Sequence, residues 1–249
     1  MKAAMIAEGA VPKIVNRAAV QAELDALRAQ EKAHMKQGDA IAATRRRLPM
    51  VAVDGATPLT GEYGATTLLD AFESRRMLIA YYYMWFDGRP APRQCEGCTF
   101  FTTQVRELSH IHSRDVTYAT FSQGSYDESL RYRDFMGWKM PWYSAQDSLD
   151  TLLVGRRIGM MHLVCYLRQG SDVFETYWTW MRGVEAMDNS YRLLDLTAYG
   201  RQEPWEDSPA GWPQGWSHED GKHPFRSDGR PISQWPRLNA GHSDDLGLA

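Results

Sequence analysis

The 249-residue chain has room for one large domain, or for a core of about 120 residues with substantial additions. Its 43% hydrophobic and 24% charged residues are ordinary for a globular protein, and a net charge of −3 argues against nucleic acid or an anionic membrane as partner, since either calls for a basic field. Three cysteines are too few, and odd in number, for a secreted disulfide scaffold of this size. Met1 to Val15 lacks the apolar run of a signal peptide, being interrupted by Glu8, Pro12 and Lys13. No run approaches the roughly 18 apolar residues of a membrane span. A cytoplasmic protein is the expectation.

Taken in order, Ala19 to Gln37 reads as a helix with Leu24, Leu27 and Met35 among alanines and charges. Gly38 reads as a break, and Asp39 as the cap of a second piece reaching Arg45-Arg46-Arg47 before Pro49. That arginine run fits a solvated helix C-terminus, where the dipole favours cations, better than a phosphate site. Met50 to Val53 reads as a short strand or extended entry segment, and Gly64 to Phe72 as a short helix. Arg76 to Met84 is a strong strand, apolar on both faces as in the centre of a covered sheet. A loop from Trp85 to Pro92 leads to Cys95-Glu96-Gly97-Cys98, followed by a helix to His112 and a strand from Asp115 to Phe121. Ser125 to Met136 is a helix with a capping box, Ser125 to Glu128, and Gly137 at its end. After an insertion from Pro141 to Leu153, His162 to Arg168 and Val173 to Trp180 form a hairpin across Gln169-Gly170-Ser171-Asp172. A last helix, Val184 to Leu194, closes a β-α-β-α-β-β-α order that fits a mixed sheet with parallel and antiparallel parts, the element order of the thioredoxin core. From Gly200 on, six of the twelve prolines and four of the nine tryptophans mark an irregular tail expected to pack on the core or on a second subunit.

The dithiol stands where a buried strand gives way to a helix N-terminus. Unpaired N–H groups and the helix dipole there favour a thiolate, which thiol–disulfide exchange needs. Cys95, ahead of the helix, reads as nucleophile, and Cys98, one turn in, as the resolving thiol. Glu96 opposes the dipole. The competing reading is zinc on Cys95, Cys98, His110 and His112, but one continuous helix would hold Cys98 and His110 about 18 Å apart, too far for a single ion. Cys165, mid-strand, reads as an inert buried thiol. Trp138, Trp142, Trp178 and Trp180 read mainly as core, with part of the cluster available to line an apolar cleft. No glycine-rich nucleotide motif is present.

Cys95-x-x-Cys98, Phe135-Met136-Gly137-Trp138-Lys139-Met140-Pro141-Trp142, Val164-Cys165-Tyr166-Leu167-Arg168 and Asp195-Leu196-Thr197-Ala198-Tyr199-Gly200-Arg201 together resemble the DUF899 family. The resemblance covers roughly Ala19 to Arg201. It implies a thioredoxin-like fold and a predicted dithiol–disulfide oxidoreductase activity. Against ordinary thioredoxins, Gln94 replaces the tryptophan before the first cysteine and Glu96-Gly97 the glycine-proline pair. Met160, Met161 and His162 stand where a cis-proline faces the dithiol.

The reading is therefore an α/β, thioredoxin-like protein. Residues 1–49 form a helical extension, 50–200 the thioredoxin-like domain and 201–249 the Trp/Pro-rich tail. Cys95 and Cys98 are the expected catalytic pair, and Trp85, Met161 and His162 the expected substrate contacts. No metal or bound cofactor is called for. The partners are a disulfide or low-molecular-weight thiol, and a homodimer is compatible with the aromatic tail. The alternatives are a thiol peroxidase and a redox-inactive adaptor, although the Pro-x-x-x-Thr-x-x-Cys pattern of peroxiredoxins is not matched around Cys95.

Overall fold

A computed structural model describes residues 11–203 and 205–213. The described chain falls into two compact units, Met50–Ser190 and residues 11–49 with 191–213. The tail beyond residue 213, with Trp216, Trp235, His218, His223 and His242, lies outside the described residues.

The larger unit is built on an eight-stranded mixed sheet, with β1 (Val51–Val53), β2 (Pro58–Gly61), β3 (Gly64–Thr67), β4 (Met77–Tyr83), β5 (Val116–Ser122), β6 (Trp142–Ser144), β7 (His162–Gln169) and β8 (Asp172–Trp180). Their order across the sheet is β1-β8-β7-β4-β5-β6-β2-β3. At its centre β4 runs parallel to β5 and antiparallel to β7, and β8 is antiparallel to β7. With the helical segments after β4, β5 and β8, this is a thioredoxin-like fold, carrying β1 on one edge and the β6-β2-β3 group on the other.

β4 is central because its side chains are apolar on both faces. Tyr81 and Tyr83 point into one core with Tyr118, Tyr132, Trp138 and Trp142. Leu78, Ala80 and Tyr82 point into the other with Phe121, Val164 and Tyr166. Burying alternate residues on opposite sides fixes the register, since a one-residue slip would exchange the two cores.

Several helices differ from the sequence reading, each for a local reason. The first helix, α1 (Arg17–Arg45), is continuous, capped by the Asn16 side chain on Ala19 N–H at 2.9 Å. A single exposed glycine at 38 costs about 1 kcal/mol, too little to stop a helix of alanines and long polar residues. Arg47 does reach back to Ala43 O at 2.6 Å, as a cation at a helix C-terminus should.

Gly64 to Phe72 is not a helix. Gly64 to Thr67 pairs with β2 across a Glu62-Tyr63 turn, with Gly64 at φ +93°, and only Asp70–Phe72 turns helically. The Asp70 carboxylate accepts from Thr67 N–H, Thr67 Oγ1 and Thr66 Oγ1, which fixes that corner.

The helix after the dithiol divides into α2 (Glu96–Gln104) and α3 (Ser109–His112). Val105 leaves helical geometry, and the Glu107 carboxylate caps Ser109 N–H at 2.7 Å to start a new turn. In α4 (Tyr126–Met136) the capping box is absent, because Glu128 instead accepts from Gly88 N–H at 2.7 Å. Gly137 takes φ +69° in a Schellman end, with Trp138 N–H on Arg133 O. The insertion supplies β6 and the single turn α5 (Leu149–Leu152). The final helix is a 3-10 segment, Met181–Met187, separated from α6 (Ser190–Leu194) by the extended, buried Asp188. Trp178 and Trp180, read as core, are 38% and 42% exposed, whereas Trp138 and Trp142 are buried.

Candidate active site

The dithiol is positioned by β4 behind it and α2 ahead of it, joined by a loop that the buried Gln94 side chain staples. Its amide donates to Phe86 O at 2.9 Å and Arg89 O at 2.8 Å and accepts from Phe86 N–H at 3.2 Å. Three bonds to one side chain hold the twelve-residue excursion from Met84 so that Cys95 arrives as the N-cap of α2.

At that N-cap the sulfur takes the role a serine oxygen usually plays. Cys98 N–H donates to Cys95 Sγ at 3.3 Å. Behind it, Thr99 Oγ1 donates to Cys95 O at 2.8 Å, which leaves its lone pairs for the Tyr83 and Tyr132 hydroxyls at 2.7 and 2.8 Å. Cys95 is therefore held from both sides, by the sulfur and by the carbonyl.

The two cysteines are unbridged and differ sharply in surroundings. A hydrogen bond from the Cys98 thiol, with the backbone N–H groups of Cys98 and Gly97, pulls the Cys95 thiol below its ordinary range, against the opposing effects of burial and of Glu96. Burial pushes the Cys98 thiol well up. Cys95 keeps 8% of its surface and Cys98 none. Cys95 Sγ lies 3.8 Å from Met84 Sδ, a soft, polarisable neighbour.

Of the expected substrate contacts, Met161 is brought to the dithiol. Its ε-methyl lies 3.4 Å from where a Cβ on Gly97 would be. Trp85 packs in the same core, against Tyr83 and Tyr132 at 6.3 and 5.9 Å between ring centroids. His162 is not brought there. It pairs with Tyr82, so its ring points to the other face of the sheet, where Nε2 meets Arg157 O at 2.9 Å and Trp180 stacks at 6.1 Å. His162 opens β7, so its pairing with Tyr82 fixes its side, whereas Met161 precedes the strand.

Cys165 is half-buried on β7, opposite Ile79, and does not join the pair. His110 and His112 fall in the last turn of α3, and no group of three or more metal-ligating side chains converges among the described residues. A cavity of about 710 Å³ on the α2 side of the sheet is lined by Ile79, Val105, Ile111, Tyr118, Leu163 and Met187 among others. Neither the cysteines nor the tryptophans line it.

Sequence reasoning missed Gln94 as a staple and the phenols of Tyr81, Tyr83 and Tyr132 as the lining behind the dithiol. The signal was available in part: Tyr81-Tyr82-Tyr83 ends a buried strand, and alternation sends the first and third toward the helix that follows.

The model of a family described as a bacterial protein of unknown function (DUF899) matches residues 9–222. Among solved structures, a Chlorobium tepidum protein provisionally described as the thiol:disulfide interchange protein DsbE is similar at 12% identity, over 56% of this chain and 94% of its own, with a TM-score of 0.38. A cysteine-to-serine mutant of peroxiredoxin Q from Xanthomonas campestris is 16% identical over 56% of this chain and 92% of its own, TM-score 0.38. Thioredoxin from Wuchereria bancrofti is 15% identical over 58% and 96%, TM-score 0.36. No curated protein matches the sequence.

Proposed function

We propose, from the premise that this chain belongs to the DUF899 family, that it is a thiol–disulfide oxidoreductase in which Cys95 attacks and Cys98 resolves. The observation that carries this reading is the contrast between the two sulfurs across one helical turn, Cys95 at the N-cap accepting from Cys98 N–H and Cys98 fully buried. Cys95 is held toward the thiolate by donors aimed at its sulfur, while Cys98 keeps its proton in a dry site. The Cys95 thiolate attacks one sulfur of a substrate disulfide, forming a mixed disulfide and expelling the other half as a thiolate. Cys98 then loses its proton and attacks Cys95 Sγ. The second half-substrate leaves as a thiol, and two electrons have passed to the substrate. A low-molecular-weight thiol or a thiol reductase restores the dithiol.

Met161 and Trp85 are the side chains we assign to substrate contact. The 8% exposure of Cys95 and the Met84 thioether beside its sulfur favour a small apolar disulfide over a polypeptide. The same low exposure favours a second reading, a thiol peroxidase, because a hydroperoxide is smaller still. In both readings the protein works in the reducing cytoplasm, and no described helix is long and apolar enough to cross a membrane.

The test is equilibration with glutathione at graded poise, counting free thiols. A reversible two-electron couple between about −120 and −270 mV, the span of known exchange catalysts, is expected. The absence of a Cys95–Cys98 disulfide at every poise overturns the reading. Turnover of hydrogen peroxide faster than of a small disulfide, with the same reductant, selects the peroxidase.

A further inference from the structure

Tyr81 is fully buried on β4, and its hydroxyl has no conventional hydrogen-bond partner, its neighbour being a sulfur. The polar group facing it is the Cys98 sulfur, itself without exposed surface. The neighbouring phenols of Tyr83 and Tyr132 are, by contrast, engaged with Thr99 Oγ1. Tyr81 is one of several buried polar groups without a conventional partner among the described residues, and what sets it apart is its place against the resolving sulfur. The Cys98 sulfur is a weak partner for that donor as a thiol and a strong one as an anion. In the resting pair Cys98 is a thiol, a weak acceptor, with its proton directed at Cys95. In the resolving step it must become an anion in a site whose burial opposes charge.

We propose that the Tyr81 hydroxyl is the donor that hydrogen-bonds the Cys98 sulfur as negative charge develops on it during resolution. This rests on the exchange reading above. A donor preorganised for a charge absent from the ground state lowers the barrier of that step alone. In it, Cys98 gives its proton to solvent, its sulfur forms the bond to Cys95 Sγ, and the bond from Cys95 to the substrate sulfur breaks. The substrate thiolate leaves with the electron pair and takes up a proton. Tyr81 keeps its own proton throughout, as its burial favours.

The test uses 2,2′-dithiodipyridine on the full reduced chain in a Cys165→Ser background, following release of pyridine-2-thione. The first thione reports attack by Cys95, and the second reports resolution by Cys98. Tyr81→Phe is expected to leave the first phase within about twofold and to slow the second about tenfold, with the second phase displaced to higher pH. Reduction of the oxidised pair by dithiothreitol, in which Cys98 is a leaving group, slows by the same factor. Tyr118→Phe, which removes another buried hydroxyl from the same core, leaves both phases within about twofold.

An unaltered second phase in Tyr81→Phe, or an equal slowing in Tyr118→Phe, overturns the proposal and leaves the exchange reading standing. A parent chain that releases one thione only overturns the exchange reading and the role of Tyr81 together.

Discussion

Thr99 ties the chemistry of Cys95 to the core. Its hydroxyl sits between the Cys95 carbonyl and two buried phenols, so Thr99→Val would take one hydrogen bond from each of the Tyr83 and Tyr132 hydroxyls at once. A buried hydrogen bond contributes about 0.5–1.5 kcal/mol net. Thr99→Val is expected to lower the urea midpoint accordingly, and an unchanged midpoint would show that the network contributes nothing. The two sulfurs should also separate in pH. Alkylation of Cys95 by iodoacetamide is expected to rise through a midpoint below that of a free thiol, while Cys98 stays unlabelled until far above it. Glu96→Gln removes a negative charge that opposes the thiolate, so its Cys95 midpoint moves lower; a midpoint that stays put or rises contradicts the assignment. The linkage follows the same sign. Because folding depresses the Cys95 value, that residue's contribution to stability is fully present above the unfolded thiol value of about 8.5 and is lost as pH falls through the folded one. Cys98, raised by folding, contributes in the opposite sense: its share is lost as pH climbs above the unfolded value.

Between elements, close approach decides the layout around the dithiol. Gly124, at the turn from β5 into α4, lies against Trp85, and a Cβ there would overlap the indole ring. Gly124→Ala must therefore displace Trp85 or the turn, at about 1–3 kcal/mol for overpacking. Chemical denaturation checks the cost, and the emission of Trp85 should shift with it; stability equal to the parent would mean that Trp85 moves freely. Gln94 acts on the same scale, since it converts a long excursion between β4 and α2 into a fixed approach to the N-cap. The helix break at Val105–Leu108 belongs here too. A continuous helix to His112 satisfies local propensity, yet Glu107 and Ser109 restart the turn so that α3 can lead into β5.

At the scale of the whole molecule, stability rests on a sheet buried on both faces. Phe121 is fully buried in the core opposite the dithiol, against Tyr82 and Tyr143 at 5.3 and 5.6 Å. Phe121→Ala is expected to cost about 3–5 kcal/mol while leaving the acidity of Cys95 in place, because the sheet lies between them; loss of both together would mean that the two cores are one cooperative shell. What the sequence determined is what repeats locally. The doubly apolar strand at Met77–Tyr83, the hairpin turned by Gly170, the glycine stop at 137 and the placement of two cysteines at a helix N-terminus are each written in a few consecutive residues, whose backbone preferences and burial pattern act at short range. Tertiary structure decided everything that needed a partner distant in sequence. Thr66 and Thr67 became strand because β2 was there to pair with, Glu128 left its capping box for Gly88, and His162 turned from the dithiol because pairing with Tyr82 set its face. The sequence showed three tyrosines in a row, but only the pairing of β4 with its neighbours sent Tyr81 and Tyr83 to the sulfurs and Tyr82 away, since alternation fixes relative sides and a fold is needed to say which side holds the chemistry.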